Sequence, residues 1–181
     1  MEARSGLRYR GGMNTPPDSR AVSPAIPPAD PPAEAATPPR RLFRRSATLD
    51  HLNSLSRDTA IEALGIVFTE IGENHLKATM PVDGRTVQPY GLLHGGSSVL
   101  LAETLGSSAG NLCVDEDSMC VGLEINANHL RAVRDGKVTG IATALHVGGR
   151  TQVWEIRIKD ARGRLACISR LTLAVVPRPQ V

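Results

Sequence analysis

The chain has 181 residues, 41% of them apolar but only 3% aromatic, so its core has to be built from Leu, Val, Ile and Ala. Its net charge of +3 resides in residues 1–45, where eight Arg face four acids, whereas residues 46–181 carry 13 Lys/Arg and 14 Asp/Glu. The remainder therefore lacks the clustered basic face that nucleic-acid binding requires, and no run of about 18 apolar residues is present to cross a membrane.

Residues 1–45 contain nine of the 13 prolines, in segments such as SPAIPPADPPAEAATPPRR. Proline at that density prevents helix and sheet, so this stretch is expected to be a disordered tail, with RRLFRR as a solvated basic linker. A secretory signal would need a continuous apolar region, which the tail lacks. The folded domain is expected to span residues 46–181. Leu49, Leu52 and Leu55, then Ala60, Ile61 and Leu64, have helical spacing, which predicts one or two short helices. GIVFTEIGENHLKATMPV alternates on either side of Gly72-Glu73-Asn74 and reads as a hairpin.

After the loop DGRTVQPYGLLH, residues 95 to about 112 are rich in Leu, Ala, Ser and Gly and carry almost no charge. An uncharged helix of that length is expected to be buried over most of its circumference. Glycines at 106 and 110 cost helix stability, roughly 1 kcal/mol each against alanine, so close packing must offset them. Four strands follow, over about 119–129, 137–147, 151–160 and 165–176, with turn residues at Asp135-Gly136, Gly148-Gly149 and 160–163. The order predicts an α+β fold, one long helix against an antiparallel meander.

The three cysteines, Cys113, Cys120 and Cys167, form no CxxC pair, which favours reduced thiols in a cytoplasmic protein over a disulfide framework or a zinc site. The chemistry concentrates in QPYGLLHGGSSVLLAE, residues 88–103. Glu103 stands two turns into the apolar helix, and no other charge lies between it and Arg85. It is either a solvent-facing helical residue or a carboxylate held from water for general-base or nucleophilic work. Upstream, Gly95 opens a helix N-terminus whose free N–H groups attract developing negative charge. The Gly95 N–H, with the side chain of His94 or Gln88, could clamp a carbonyl as an oxyanion hole does. His94 could equally be a helix cap. No G-x-S-x-G elbow is present, so Ser97 and Ser98 read as capping or packing residues.

The 88–103 stretch resembles the signature of hotdog-fold thioesterases of the phenylacetic-acid-degradation type, and MPVDGRT, GLEINANHLR, GKVTG, LHVGGRTQVWEI and RLTLAV extend the resemblance over nearly all of residues 46–177. It is closest to the clade of 1,4-dihydroxy-2-naphthoyl-CoA hydrolases and enterobactin proofreading thioesterases. The resemblance implies a hotdog fold, a long central helix wrapped by a curved antiparallel sheet. It implies a homodimer or a dimer-of-dimers homotetramer with the active site at the subunit interface, and hydrolysis of aromatic or medium-chain acyl-CoA. In the family's pattern Glu103 is the nucleophile or general base, Gln88, His94 and the Gly95 backbone polarise the carbonyl, and Ser107 holds the attacking water or the carboxylate. Gly122, His129, Arg131, His146, Gly149 and Arg150 fall in segments that meet coenzyme A. The two arginines suit its phosphates, although both could be ordinary exposed side chains beside turns. No metal or cofactor is implied beyond the CoA of the substrate. Tyr90, where phenylalanine is common, and the tail are the departures. Two other readings stay open: a hydrolase of acyl-carrier-protein thioesters, and a non-catalytic acyl-CoA binding module, against which Glu103 weighs.

Overall fold

The computed structural model describes residues 42–179. The expectation of disorder for the Pro-rich tail thus lies, as far as residue 41, outside the described residues. Two short helices open the fold, α1 (Leu49–Leu55) and α2 (Ala60–Ala63). Each begins where the side-chain hydroxyl of a threonine accepts a free N–H, Thr48 from His51 and Thr59 from Ile61, both at 3.2 Å. The hairpin follows as β1 (Val67–Ile71) and β2 (His75–Pro81), closed by a Gly72 N–H bond to the His75 carbonyl at 2.9 Å.

Then come α3 (Gly95–Leu112), β3 (Ser118–His129), β4 (Lys137–Val147), β5 (Thr151–Lys159) and β6 (Leu165–Pro177). All strand pairs are antiparallel, and the six form one sheet in the order β1-β2-β4-β5-β6-β3. The helix packs across β2 through β6, giving the wrapped-helix hotdog arrangement. Its glycines are what allow that approach. A Cβ on Gly106 would sit 2.5 Å from Leu171 Cδ2, and one on Gly110 2.4 Å from Leu173 Cδ1. Leu101, Leu105, Trp154, Ile156, Leu171 and Leu173 are fully buried between the two layers. Burial of this kind contributes about 1.5–3 kcal/mol per large apolar side chain.

Two expectations are corrected. The last four strands are not a meander: β4, β5 and β6 are consecutive neighbours, but β3 pairs with β6 and stands at the edge. The β4–β5 and β5–β6 connections are tight turns, with Gly148 N–H to Thr151 O and Gly163 N–H to Asp160 O. The segment 130–136 between β3 and β4 instead crosses the end of the sheet, accepting bonds from Leu93 N–H at Val133 and from Val82 N–H at Gly136. That crossing carries β4 over to pair with β2.

The second correction concerns residues 42–45, placed above in the tail. Leu42 and Phe43 pack against the core, and the N–H groups of Arg44 and Arg45 both donate to the Leu112 carbonyl, at 2.8 and 3.0 Å. Four of the six residues of the expected basic linker are therefore part of the domain. Among the described residues no helix is long and apolar enough to cross a membrane.

Candidate active site

The loop between β2 and α3 places the first group of site residues. Asp83 holds it: its carbonyl accepts from Thr86 and Val87 N–H, and its carboxylate pairs with Arg85 at 2.7 Å. The Arg85 hydrogen bonds hold the Asp83 carboxyl down at about 2. Buried Thr86 then accepts the His94 N–H at its carbonyl, which brings both ends of the loop together at the start of α3.

There, Gln88, Gly95, Ser98, His129 and Arg131 line a cleft of about 360 Å³ with apolar walls from Leu92, Leu93, Leu130, Ala132, Ala166 and Cys167. The Gln88 side-chain oxygen accepts the Tyr90 N–H. With its acceptor so engaged, the amide is oriented to offer its N–H2 as a donor. His129 lies over the helix start, its Nε2 2.9 Å from where a Gly95 Cβ would be. A side chain at position 95 would have to push that ring aside.

His94 is the N-cap of α3, with Nδ1 accepting the Gly96 N–H at 2.8 Å, and it is exposed outside the cleft. The capping alternative thus describes its Nδ1, and in the neutral ring the remaining proton sits on Nε2 as a free donor. Tyr90 is 84% exposed and contributes no side-chain contact to the cleft lining.

Glu103 lies elsewhere. It is half-buried, its Oε1 accepts the Ser107 hydroxyl at 2.7 Å, and it faces β3 at Gly122. A Cβ on Gly122 would stand 2.8 Å from that same oxygen. Gly122 therefore serves Glu103 and is not part of the cleft lining. Gly95 and Glu103 are eight residues apart in one helix, about 12 Å along its axis. Glu103 is not among the residues that line the cleft.

The remaining residues form a third group at the β4–β5 turn. His146 covers Gly148, while Gly149 and Arg150 are exposed. His129 is opposite Cys167 on β6, but Thr151 is opposite Ala174, seven residues and about 23 Å further along the strand. Arg131 and Arg150 consequently occupy opposite ends of the sheet.

Several participants were missed from the sequence. Ser98, read from the sequence only as a capping or packing residue, is buried in the cleft lining one turn after Gly95. The walls from segment 130–132 depend on a crossing that no local pattern announces. Cys167, though in the cleft, is buried and its thiol is pushed up by desolvation, as are those of Cys113, to about 12, and Cys120, to about 11. All three are free and protonated near neutral pH, so none is a ready nucleophile.

A helix-borne carboxylate beside a strand, and a cleft of backbone and amide donors at the same helix's start, are the parts of an acyl-transfer hydrolase. Comparison with known proteins places the chain. The thioesterase superfamily profile matches residues 90–167. The 1,4-dihydroxy-2-naphthoyl-CoA hydrolase of Escherichia coli is 53% identical over 135 residues, 75% of this chain and 99% of its own. The proofreading thioesterase EntH of Cronobacter sakazakii is 52% identical, over 75% of this chain and 98% of its own. The crystal structure of a Haemophilus influenzae thioesterase superposes with a TM-score of 0.74 at 53% identity, covering 75% of this chain and 95% of that one. The chain belongs to the thioesterase superfamily and is a thioester hydrolase.

Proposed function

We propose that the chain hydrolyses acyl-CoA thioesters, aromatic acyl groups such as 1,4-dihydroxy-2-naphthoyl among them, to the free acid and CoA. The observation that carries this reading is the Glu103 carboxylate, held by Ser107 against a β3 position kept bare by Gly122. As general base, Glu103 takes a proton from water while the water oxygen bonds to the thioester carbon. The carbonyl oxygen gains the charge and is met by the Gly95 N–H and the Gln88 amide. When the oxyanion collapses, the C–S bond breaks and the CoA thiolate leaves with a proton. As nucleophile, Glu103 would itself bond to that carbon, and water would then cleave the resulting anhydride. Neither course calls on a metal or a redox cofactor.

The 12 Å between Gly95 and Glu103 supports a site shared by two copies. Strand β3 is an edge strand whose Cys120 backbone groups are taken by Asn111 but whose Leu123, further along, is 64% exposed, a surface suited to pairing with another copy. Antiparallel pairing there would set the carboxylate of one protomer beside the donors of its partner. It would also bring the Arg150 end of one sheet to the Arg131 end of the other, on either side of one CoA. We place this homodimer, alone or doubled, in the cytoplasm, in keeping with three free buried thiols.

The test is free-thiol release from benzoyl-CoA, a hydroxynaphthoyl-CoA and a medium-chain acyl-CoA by wild type and Glu103→Ala. Turnover is expected to fall by about 10³-fold or more in the variant, as on removing a catalytic base or nucleophile. A folded, fully active Glu103→Ala protein would refute the mechanism. Turnover only with the acyl group on a carrier protein would instead move the substrate to that class.

A further inference from the structure

We propose that Asn111 is a positioning residue for the Glu103 carboxylate, acting through Ser107 on the helix and through the backbone of β3 on the other side. The inference rests on Glu103 being the reactive group. Asn111 lies in the last turn of α3, one turn beyond Ser107. Its Nδ2 donates to the Ser107 carbonyl at 2.9 Å and to the Cys120 carbonyl at 3.4 Å, while its Oδ1 accepts the Cys120 N–H at 3.0 Å. One amide thus meets both backbone groups of a strand residue, as a neighbouring strand would.

Those backbone groups are available because of the register. Cys120 is opposite Val175, and Val175 sends its N–H the other way, to the Arg150 carbonyl at 2.9 Å. The Cys120–Val175 pair is therefore one of the non-hydrogen-bonded pairs of the ladder, and the Cys120 N–H and C=O face the free edge. Asn111 ties them to α3 two residues before Gly122, the position that Glu103 Oε1 rests against. Helix turn, hydroxyl, carboxylate and strand close into one loop of contacts: Asn111 to Ser107, Ser107 to Glu103, Glu103 to Gly122, and β3 back to Asn111.

The helix does not depend on this tie for its docking. Buried Gln152 donates to the Gly110 carbonyl at 3.3 Å and accepts the Trp154 Nε1–H at 3.0 Å, which anchors α3 to β5 independently. An Asn111→Leu protein is therefore expected to fold, with its carboxylate less well placed. A displacement on the order of 1 Å costs about 10²-fold in rate, so kcat for the best thioester is expected to fall about 10- to 100-fold with KM within about twofold. Ser107→Ala and Asn111→Leu together should cost little more than the worse of the two, since both act through one carboxylate. Unchanged kcat, a rise in KM at constant kcat, or additive losses in the double variant would each overturn the proposal. Activity retained by Glu103→Ala would overturn the underlying reading and this inference with it. An inactive Glu103→Ala beside an unimpaired Asn111→Leu overturns this inference alone.

Discussion

Gly122 is a position where a missing side chain is the functional feature. Its Cβ would stand 2.8 Å from Glu103 Oε1, and the atom it meets is the tip of a flexible side chain, so an alanine there can be accommodated by moving the carboxylate. In a strand interior glycine is about 0.5–1 kcal/mol less favourable than alanine. Gly122→Ala should therefore leave the unfolding midpoint unchanged or slightly raised while kcat falls about 10- to 100-fold, by the same misplacement argument. Urea unfolding beside thiol-release kinetics checks both halves, and full activity in this variant would show that the Glu103 oxygen is free to move without penalty. This role could not be read in the sequence, because it depends on which helical residue faces β3. Glu103 was legible as a lone carboxylate in an uncharged helix, whereas Ser107 entered only through the family resemblance. Gln88 could be read only as one of two candidate side chains for the carbonyl clamp, and the family resemblance added weight to it. Of the two readings of His94, the capping one is seen in the structure, with Nδ1 accepting the Gly96 N–H.

Helix α3 and the four strands after it fall where periodicity and turn residues put them, because Gly136, Gly148 and Gly163 punctuate a pattern that burial makes regular. Strand partners were not legible, since β3 and β4 are consecutive in sequence and separated by a crossing whose bonds are all backbone. The same blindness hid Arg45. Its guanidinium reaches the carbonyls of Val114 at 2.9 Å and Ser118 at 2.8 Å, as well as that of Asp115, and carbonyls have no signature in a sequence. The clasp ties down the turn that follows α3, where a cation also stands near the negative end of the helix dipole. Hydrogen bonds to a charged group are worth about 1.5–3 kcal/mol. Part of that is lost to solvent at a half-buried side chain, so Arg45→Ala should destabilise by about 1–2 kcal/mol. The midpoint of urea unfolding reads this loss. No change would mean that the two backbone bonds to Leu112 hold the segment unaided.

The arrangement of the two halves of the site decides how many chains a turnover needs. Gln88 and Gly95 stand at the start of α3, and Glu103 is two turns further on, about 12 Å along the axis and outside the cleft lining. Bringing a second copy to the β3 edge resolves the distance by symmetry, because an antiparallel two-fold places the start of one protomer's site against the end of the other's. Glu103→Gln and Gln88→Ala homodimers are each expected to be severely impaired, one lacking the base and one a carbonyl donor. In a mixed dimer one site inherits both lesions and the other neither. Co-expression in equal amounts makes half of the dimers mixed, with one intact site in two, so activity should recover to about a quarter of wild type. Activity of the co-expressed pair, set against each variant alone, is the measurement. Recovery near a quarter means that the carboxylate and the carbonyl donors come from different chains. Activity no higher than the average of the two variants would mean that each protomer completes its own site, with a rearrangement of α3 or of the 88–94 loop closing the 12 Å gap.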